Sequence, residues 1–159
     1  MNPPSDRPRV SFTSRLEGEH LEALQDLFFF NEQQGRYREG IINSIESYGE
    51  PFLRVEGGLI RVHTTKLGLV QAIFAVSVGE DGRRTPVGVA VFSRTAPDTF
   101  SLLHISVDKA FSVDGVHAKD LVALKLFQRT VDAARRIRGI RRVTVHYGPV
   151  AFSEFPLRR

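Results

Sequence analysis

The sequence contains no cysteine. That absence excludes a disulfide scaffold, a thiolate zinc site, an iron–sulfur cluster and a cysteine nucleophile. No apolar run approaches the ~20 residues of a membrane helix, and the N-terminus lacks the apolar stretch of a signal peptide. The phosphate-binding motifs Gly-x-x-x-x-Gly-Lys and Gly-x-Gly-x-x-Gly are also missing, as is the Gly-x-Ser-x-Gly nucleophile elbow. We therefore expect a soluble cytoplasmic protein with no membrane contact and none of these common catalytic motifs.

Lysine is scarce, with 4 lysines against 18 arginines, and the positive charge is concentrated in one segment. Between residues 118 and 142, eight basic residues oppose two acidic ones, a local charge of +6 in a chain whose net charge is +4. Such a surface attracts phosphate groups on nucleic acid, membranes or nucleotides. A solvated helix face, with cations favoured at the helix C-terminus, explains the same pattern. Nucleic-acid binding is thus one alternative, although no interleaved aromatic residues support it.

The remaining composition is that of a globular protein. The chain has 159 residues, of which 42% are hydrophobic and 25% charged. Three prolines in residues 1–8 indicate a flexible leader, and we expect a single domain over residues 9–159.

Hydrophobic periodicity predicts the α+β class. A strand is expected over 10–13. A helix should follow, beginning at the capping box Ser14-x-x-Glu17 and ending at Gly35, and a second helix is expected over 37–48. A meander of strands follows, with a tight hairpin at Gly57-Gly58. The strands of the meander are expected at 52–55, 59–64, 69–78, 86–94 and 100–107.

A long helix over 118–138 and a last strand over 142–147 complete the pattern, so that strand 100–107, the helix and the last strand form a β-α-β unit. Its two strands should be parallel, which makes the sheet mixed but mostly antiparallel. We expect the long helix to end at Gly139. Its core face should carry Leu121, Leu124, Phe127, Val131 and Ala134.

The strongest functional signal is the junction between strand 100–107 and the long helix. A loop there contains Gly115 and leads into the helix N-terminus, where free backbone N–H groups and the helix dipole favour an anion. Such a place suits a phosphate or pyrophosphate, and Lys109 and Lys119 lie nearby in sequence.

These features together resemble the GNAT superfamily of acyl-CoA N-acyltransferases over residues 71–147. The family pattern of an Asp-Gly turn, a strand beginning near Val-Gly, a hydrophobic-x-Val strand and a glycine loop before a helix is matched in order. The matching segments are Glu80-Asp81-Gly82, Val87-Gly88, Leu103-x-Ile105-x-Val107 and the loop Ser112-Val113-Asp114-Gly115-Val116-His117.

The resemblance implies an acyl-CoA ligand, acetyl-CoA or another, and transfer of the acyl group to an unknown amine if the protein is active. Backbone groups of Ile105 and Val107 would hydrogen-bond the pantetheine arm and the thioester carbonyl. The loop would hold the pyrophosphate. Its residues would be Ser112, Gly115, His117, Ala118 and Lys119.

The candidate catalytic residues lie on the last two predicted strands. His104 or His146 would act as the base, because a neutral imidazole titrates near the working pH. Tyr147 would act as an acid toward the leaving thiolate. Alternation on the strand places His104 on the face opposite Leu103 and Ile105, and His146 near the point where the family's sheet splays open. No histidine has metal-ligand spacing, so no metal site is expected.

The alternative is a catalytically inactive protein of the same fold that serves as a binding or assembly module. Ser112 stands where the family has Arg or Gln, and His117 stands where it has Gly or Ala. The sequence also ends twelve residues after Tyr147, whereas the family usually continues with a helix and two strands. The edge left by missing strands, together with Phe28–Phe30, would then bind a protein partner or a second copy.

Overall fold

The computed structural model describes residues 8–29, 38–112, 115–146 and 154–157. The described part contains three α-helices and eight strands, and the α+β class is confirmed. In chain order these are β1 (Arg9–Thr13), α1 (Leu21–Phe29), α2 (Arg38–Tyr48), β2 (Pro51–Glu56), β3 (Leu59–Thr64), β4 (Gly68–Val78), β5 (Arg84–Ala96), β6 (Thr99–Val107), α3 (Val122–Arg135), β7 (Arg142–Val145) and β8 (Glu154–Pro156).

The sheet is mixed, with strand order β2-β3-β4-β5-β6-β7-β8 and one branch. All pairs are antiparallel except β6–β7, which are parallel and joined through α3, as the β-α-β prediction requires. The branch is β1, which pairs with the second half of β4, whereas β3 pairs with its beginning. This arrangement is consistent with the fold that the family resemblance implies.

Turn residues position the meander. Gly57 and Gly58 connect β2 to β3 with φ of +59° and +78°, the left-handed pair that a type I′ hairpin turn needs. The predicted hairpin is confirmed.

The sheet carries a hydrophobic core on each face. On one face α3 packs Val122, Leu126 and Phe127 against β4, β5 and β6. Gly88 of β5 allows the close approach, since a Cβ there would lie 3.0 Å from Leu126 Cδ1. On the other face α1 buries Leu24, Leu27 and Phe28 against the sheet. α2 also lies on this second face, where it contacts β6.

Two of the predicted helix starts are wrong, the one based on the capping box Ser14-x-x-Glu17 and the one at Ala118. The segment Gly18–His20 is a 3-10 turn before α1, and its N-cap Glu17 makes no side-chain cap hydrogen bond; Thr13, not Ser14, bonds the local backbone. At α3, a 3-10 turn over Ala118–Asp120 precedes Leu121, which has a left-handed φ of +51°.

The late start of α3 changes its core face. Leu121 and Leu124 are 53% and 44% exposed, whereas Val122 and Leu126 are fully buried. The predicted core positions Phe127, Val131 and Ala134 are confirmed. The predicted helix end is wrong, because α3 ends at Arg135 and Gly139, with φ of +90°, lies in the turn that follows.

Candidate functional site

A β-bulge in the middle of β6 shapes the candidate site. His104 lies opposite Val91 and Leu102 lies opposite Phe92, so Leu103 is an extra residue with no partner in β5. Leu103 joins the core beneath α1, and the ring of His104 stacks on Phe28 of α1 at 4.1 Å between centroids. Strict alternation placed His104 and Leu103 on opposite faces. For Leu103 that prediction is wrong, because the bulge turns both side chains toward α1; Ile105 lies on the opposite face, as predicted.

Beyond the bulge, β6 extends past the last of its described pairs with β7. The parallel ladder runs from Thr99↔Arg142 to Leu102↔Val145, and β6 extends five residues further to Val107. Asp108 N donates to Val87 O at 2.8 Å, and antiparallel pairs alternate between bonded and non-bonded positions. The peptide groups of Ile105 and Val107 therefore point away from β5, toward the β7 side. Ile105 thus has the orientation that the expected pantetheine contact needs, whereas Val107 has an interaction of its own. We call this stretch of β6, beyond its described pairs with β7, the strand opening.

Two serine hydroxyls fix the helices to this part of β6. Ser44 Oγ of α2 donates to the carbonyl of Leu103 at 2.8 Å, and Ser106 Oγ donates to the carbonyl of Leu27 at 2.8 Å. The first bond satisfies the carbonyl of the bulged residue. Ser44 was missed from the sequence, although a small polar residue between Ile41 and Ile45 in an apolar helix stripe was the available signal.

The C-terminal end of α2 is anchored to the β3–β4 turn. Gly49 has φ of +90°, and a Cβ there would lie 2.4 Å from Thr65 Oγ1. Thr64 Oγ1 donates to the carbonyl of Tyr48 at 2.6 Å, and Lys66 Nζ donates to that of Glu46. These contacts hold α2 over the sheet, with Ser44 buried and Ile45 37% exposed.

Between α1, α2 and the bulge lies a pocket of about 190 Å³, which we call the helix pocket. Its walls are mainly apolar, and its polar groups are few. A volume below the 300–1,000 Å³ typical of drug-sized sites fits a small chemical group. The lining includes Phe28, Phe29, Ile41, Ser44, Ile45, Tyr48, Glu50, Leu103 and His104.

His104 forms part of the lining and is almost completely buried, with 6% of its surface exposed. Burial lowers the pKa of His104 from 6.5 to about 3. The imidazole is therefore neutral at pH 7, but so weak a base gives little driving force for taking a proton from an ammonium group.

His146 follows β7 directly and is half-buried. Its ring packs edge-on against Tyr48 at 4.9 Å, so the aromatic ring of Tyr48 connects it to the helix pocket. Burial lowers the pKa of His146 as well, and its Nε2 atom has no hydrogen-bond partner among the described residues. Of the two candidate bases His146 thus has the more suitable setting. Tyr147 lies outside the described residues.

The glycine loop before α3 is folded on itself. The N–H groups of Gly115, His117 and Ala118 donate to the carbonyls of Ser112, Ala110 and Gly115, at 2.9, 2.7 and 3.2 Å. These N–H groups were expected to face a pyrophosphate, and the described conformation uses them internally.

The same loop gives Gly115 and His117 structural roles. A Cβ on Gly115 would lie 2.2 Å from the carbonyl oxygen of Lys109, so the glycine allows close backbone packing. The His117 ring lies 4.8 Å from that of Phe111. Ser112 Oγ donates to Lys109 O at 2.8 Å, and the Lys119 side chain is exposed beside them.

The surfaces expected to bind a protein partner are changed by the structure. Phe28 is 1% exposed and stacked on His104, so it is not an interface residue; Phe29 is 37% exposed at the rim of the helix pocket, and Phe30 lies outside the described residues. The outer edge of β7, expected to be open, pairs with β8. A homodimer or protein partner stays a prediction.

The arginine-rich surface lies along α3 and its connection to β7. Arg129 stacks over Phe12 at 4.9 Å, and Arg135 and Arg142 form ion pairs with Asp132 and Asp98. These contacts explain part of the arginine content without a ligand, and a nucleic-acid partner stays a prediction. Among the described helices, none has the length and apolar character to cross a membrane.

Comparison with protein-family models gives no match, and comparison with curated protein sequences gives none either. The family resemblance therefore rests on the motifs and spacing quoted above.

Proposed function

We propose that this protein is an acyl-CoA-binding domain of the acyltransferase type. The observation that supports it best is the strand opening, where β6 outlasts its described pairing with β7 and turns the peptide groups of Ile105 toward that side. A pantetheine arm is an extended chain with amide groups, and it can pair with a strand edge as another strand does.

The acyl group would then lie near the bulge and the helix pocket. The pocket has the size of a short acyl chain or a small acceptor, and its apolar walls disfavour a charged group. His146 is the proposed base, because its lowered pKa keeps it neutral at pH 7 and its buried Nε2 atom has no hydrogen-bond partner among the described residues. His104 is proposed to shape the pocket through its stacking on Phe28.

Calorimetry with acetyl-CoA and with acetyl-pantetheine tests this proposal. Because the loop N–H groups are used internally, we expect saturable heat from both ligands and little advantage for the nucleotide part. Absence of heat at hundreds of micromolar acetyl-CoA would contradict both binding and catalysis by this site.

A loop variant measures how much the pyrophosphate contacts matter. Ser112→Arg with His117→Gly supplies a positive charge and removes a bulky ring, so acetyl-CoA should bind more tightly while acetyl-pantetheine is unaffected. Lys66→Arg, remote from the loop, is a charge-conserving control. An equal or weaker affinity for acetyl-CoA in the double variant would show that the loop does not face the ligand.

The second candidate function is a catalytically inactive binding module, and the closed loop favours it. In that case the protein gives no heat with acetyl-CoA and forms no acetylated amine. An assembly role would appear as a dimer in size-exclusion chromatography with light scattering. A clean monomer at high concentration would argue against assembly.

A further inference from the structure

The sheet is split along one side of β4. There β3 pairs with residues Gly68–Val70, and β1 begins to pair at Phe74. Within the described part of the chain, no strand covers residues 71–73 on that side, although β5 pairs with them on the other. The split is a groove of about 520 Å³, which we call the β4 groove.

One backbone unit faces into this gap. The bonded pairs Asp108↔Val87 and Ser106↔Val89 direct the peptide groups of Val89 toward β6, so those of Ala90 point to β4 and pair with Ile73. The next residue, Ala72, therefore directs its N–H and C=O away from β5, into the groove. A ligand in the groove can accept from that N–H group.

The groove combines a basic rim with an exposed apolar side chain, that of Leu69. Arg15 and Arg61 line it, both are exposed, and neither forms an ion pair within the described ranges. Arg15 is positioned by a local turn in which its N–H donates to Thr13 Oγ1 at 3.0 Å. Ser14 and Gln71 complete the rim. Ile60, Val62, Val70 and Phe74 also border the groove but are at most 7% exposed, because their side chains pack in the core beneath α1.

Charge next to the groove is poorly balanced. Arg61 lies directly opposite Arg54 in the β2–β3 pair, an arrangement that repels. Arg54 leans over the Phe52 ring at 5.2 Å. The nearby carboxylate of Glu56 contacts His63 Nε2 at 3.1 Å and makes no ion pair with either arginine in the described structure. An anion between Arg15 and Arg61 would relieve this repulsion.

We propose that the β4 groove binds a small organic carboxylate with an apolar body. The carboxylate lies between the guanidinium groups of Arg15 and Arg61, whose planar forks fit its two oxygens. The apolar body lies against the exposed side chain of Leu69. This site is separate from the strand opening and does not depend on acyl-CoA binding.

The probe is benzoate, titrated into the ¹⁵N-labelled full chain and followed by NMR. We expect saturable shifts at the Ala72 amide and at the Nε–H groups of Arg15 and Arg61. Benzylammonium, of equal size and opposite charge, should leave these signals unchanged. Inorganic phosphate should bind more weakly than benzoate, because it has no apolar body to contact Leu69.

Variants separate the site from general charge effects. Arg15→Gln with Arg61→Gln should weaken benzoate binding at least tenfold, whereas Arg138→Gln, an exposed arginine elsewhere, should not change it. Since Arg61 faces Arg54, Arg61→Gln should keep or raise Tm, which shows that the variant is folded. Benzoate binding that is equal in the double variant, shifts elsewhere in the chain, or phosphate binding as tight as benzoate would overturn the proposal.

Discussion

The stability of the fold should fall steeply in mild acid because of His104. Its pKa is about 3 in the folded protein and 6.5 as the ordinary value. The unfolded chain binds the proton at a pH where the folded chain does not, so stability is present above pH 6.5 and is lost as pH falls toward 3. The slope approaches about 1.4 kcal/mol per pH unit. Between pH 7 and pH 5 the loss from this residue is about 2 kcal/mol.

Other groups add to the pH dependence, so a variant must isolate the contribution. Half-burial lowers the pKa of His146, which acts in the same direction. A hydrogen bond from the Thr99 hydroxyl lowers the pKa of Asp98. Because Asp98 is a carboxylate, its effect on stability occurs at lower pH. His104→Phe keeps a ring on Phe28 and removes the titration. The difference between wild type and variant is the quantity of interest.

Urea unfolding at pH 7, 6 and 5 measures it. Wild type should lose about 2 kcal/mol more than His104→Phe over this range, and a matched control, His63→Gln on the β2–β3 hairpin, should retain the wild-type difference. Equal pH dependence in wild type and His104→Phe would contradict the predicted effect of His104 on stability. An NMR titration of His104 with a midpoint near 6.5 would contradict it as well.

Three further variants test the packing around the site by urea unfolding. Ser44→Ala leaves the Leu103 carbonyl without its donor and should cost about 1–3 kcal/mol; a cost near zero would mean that the bond contributes little. Phe28→Ala removes a fully buried ring and should cost about 3–5 kcal/mol, which an exposed interface residue would not. Gly115→Ala places a Cβ 2.2 Å from the Lys109 carbonyl oxygen and should cost at least about 1–3 kcal/mol. Unchanged stability there would show that the loop is open.

Much of the fold was predictable because its signals are local. The Gly57-Gly58 pair determines a hairpin by its left-handed φ values. The alternating apolar residues of β4 to β6 mark strands whose partners are their neighbours in sequence. The parallel pairing of β6 with β7 followed from the intervening helix.

The features that were missed depend on contacts between distant residues. The Leu103 bulge has no local signature, and it is stabilised by Ser44, 59 residues away; without it, His104 was assigned to the wrong side relative to Leu103. Leu121 was placed in the helix core because a left-handed leucine is rare. β8 is a strand because it pairs with β7. Its three residues alone do not indicate a strand.

For the candidate site, the sequence located β6 and His146, and the structure supplied what surrounds them. The helix pocket depends on Tyr48, whose ring contacts His146, and on Ser44, neither of which the motif pattern includes. For the loop before α3, the glycine suggested phosphate binding. The structure explains this glycine by packing, because Gly115 approaches Lys109 closely.

The most direct test of the proposed function is an NMR titration of the ¹⁵N-labelled chain with acetyl-CoA. If acetyl-CoA binds at the strand opening, we expect saturable shifts that include the Ile105 amide and the His146 ring, with smaller shifts in the loop around Gly115. Binding that leaves Ile105 unchanged would place the ligand elsewhere. No shift at any amide at hundreds of micromolar acetyl-CoA would contradict acyl-CoA binding at the strand opening.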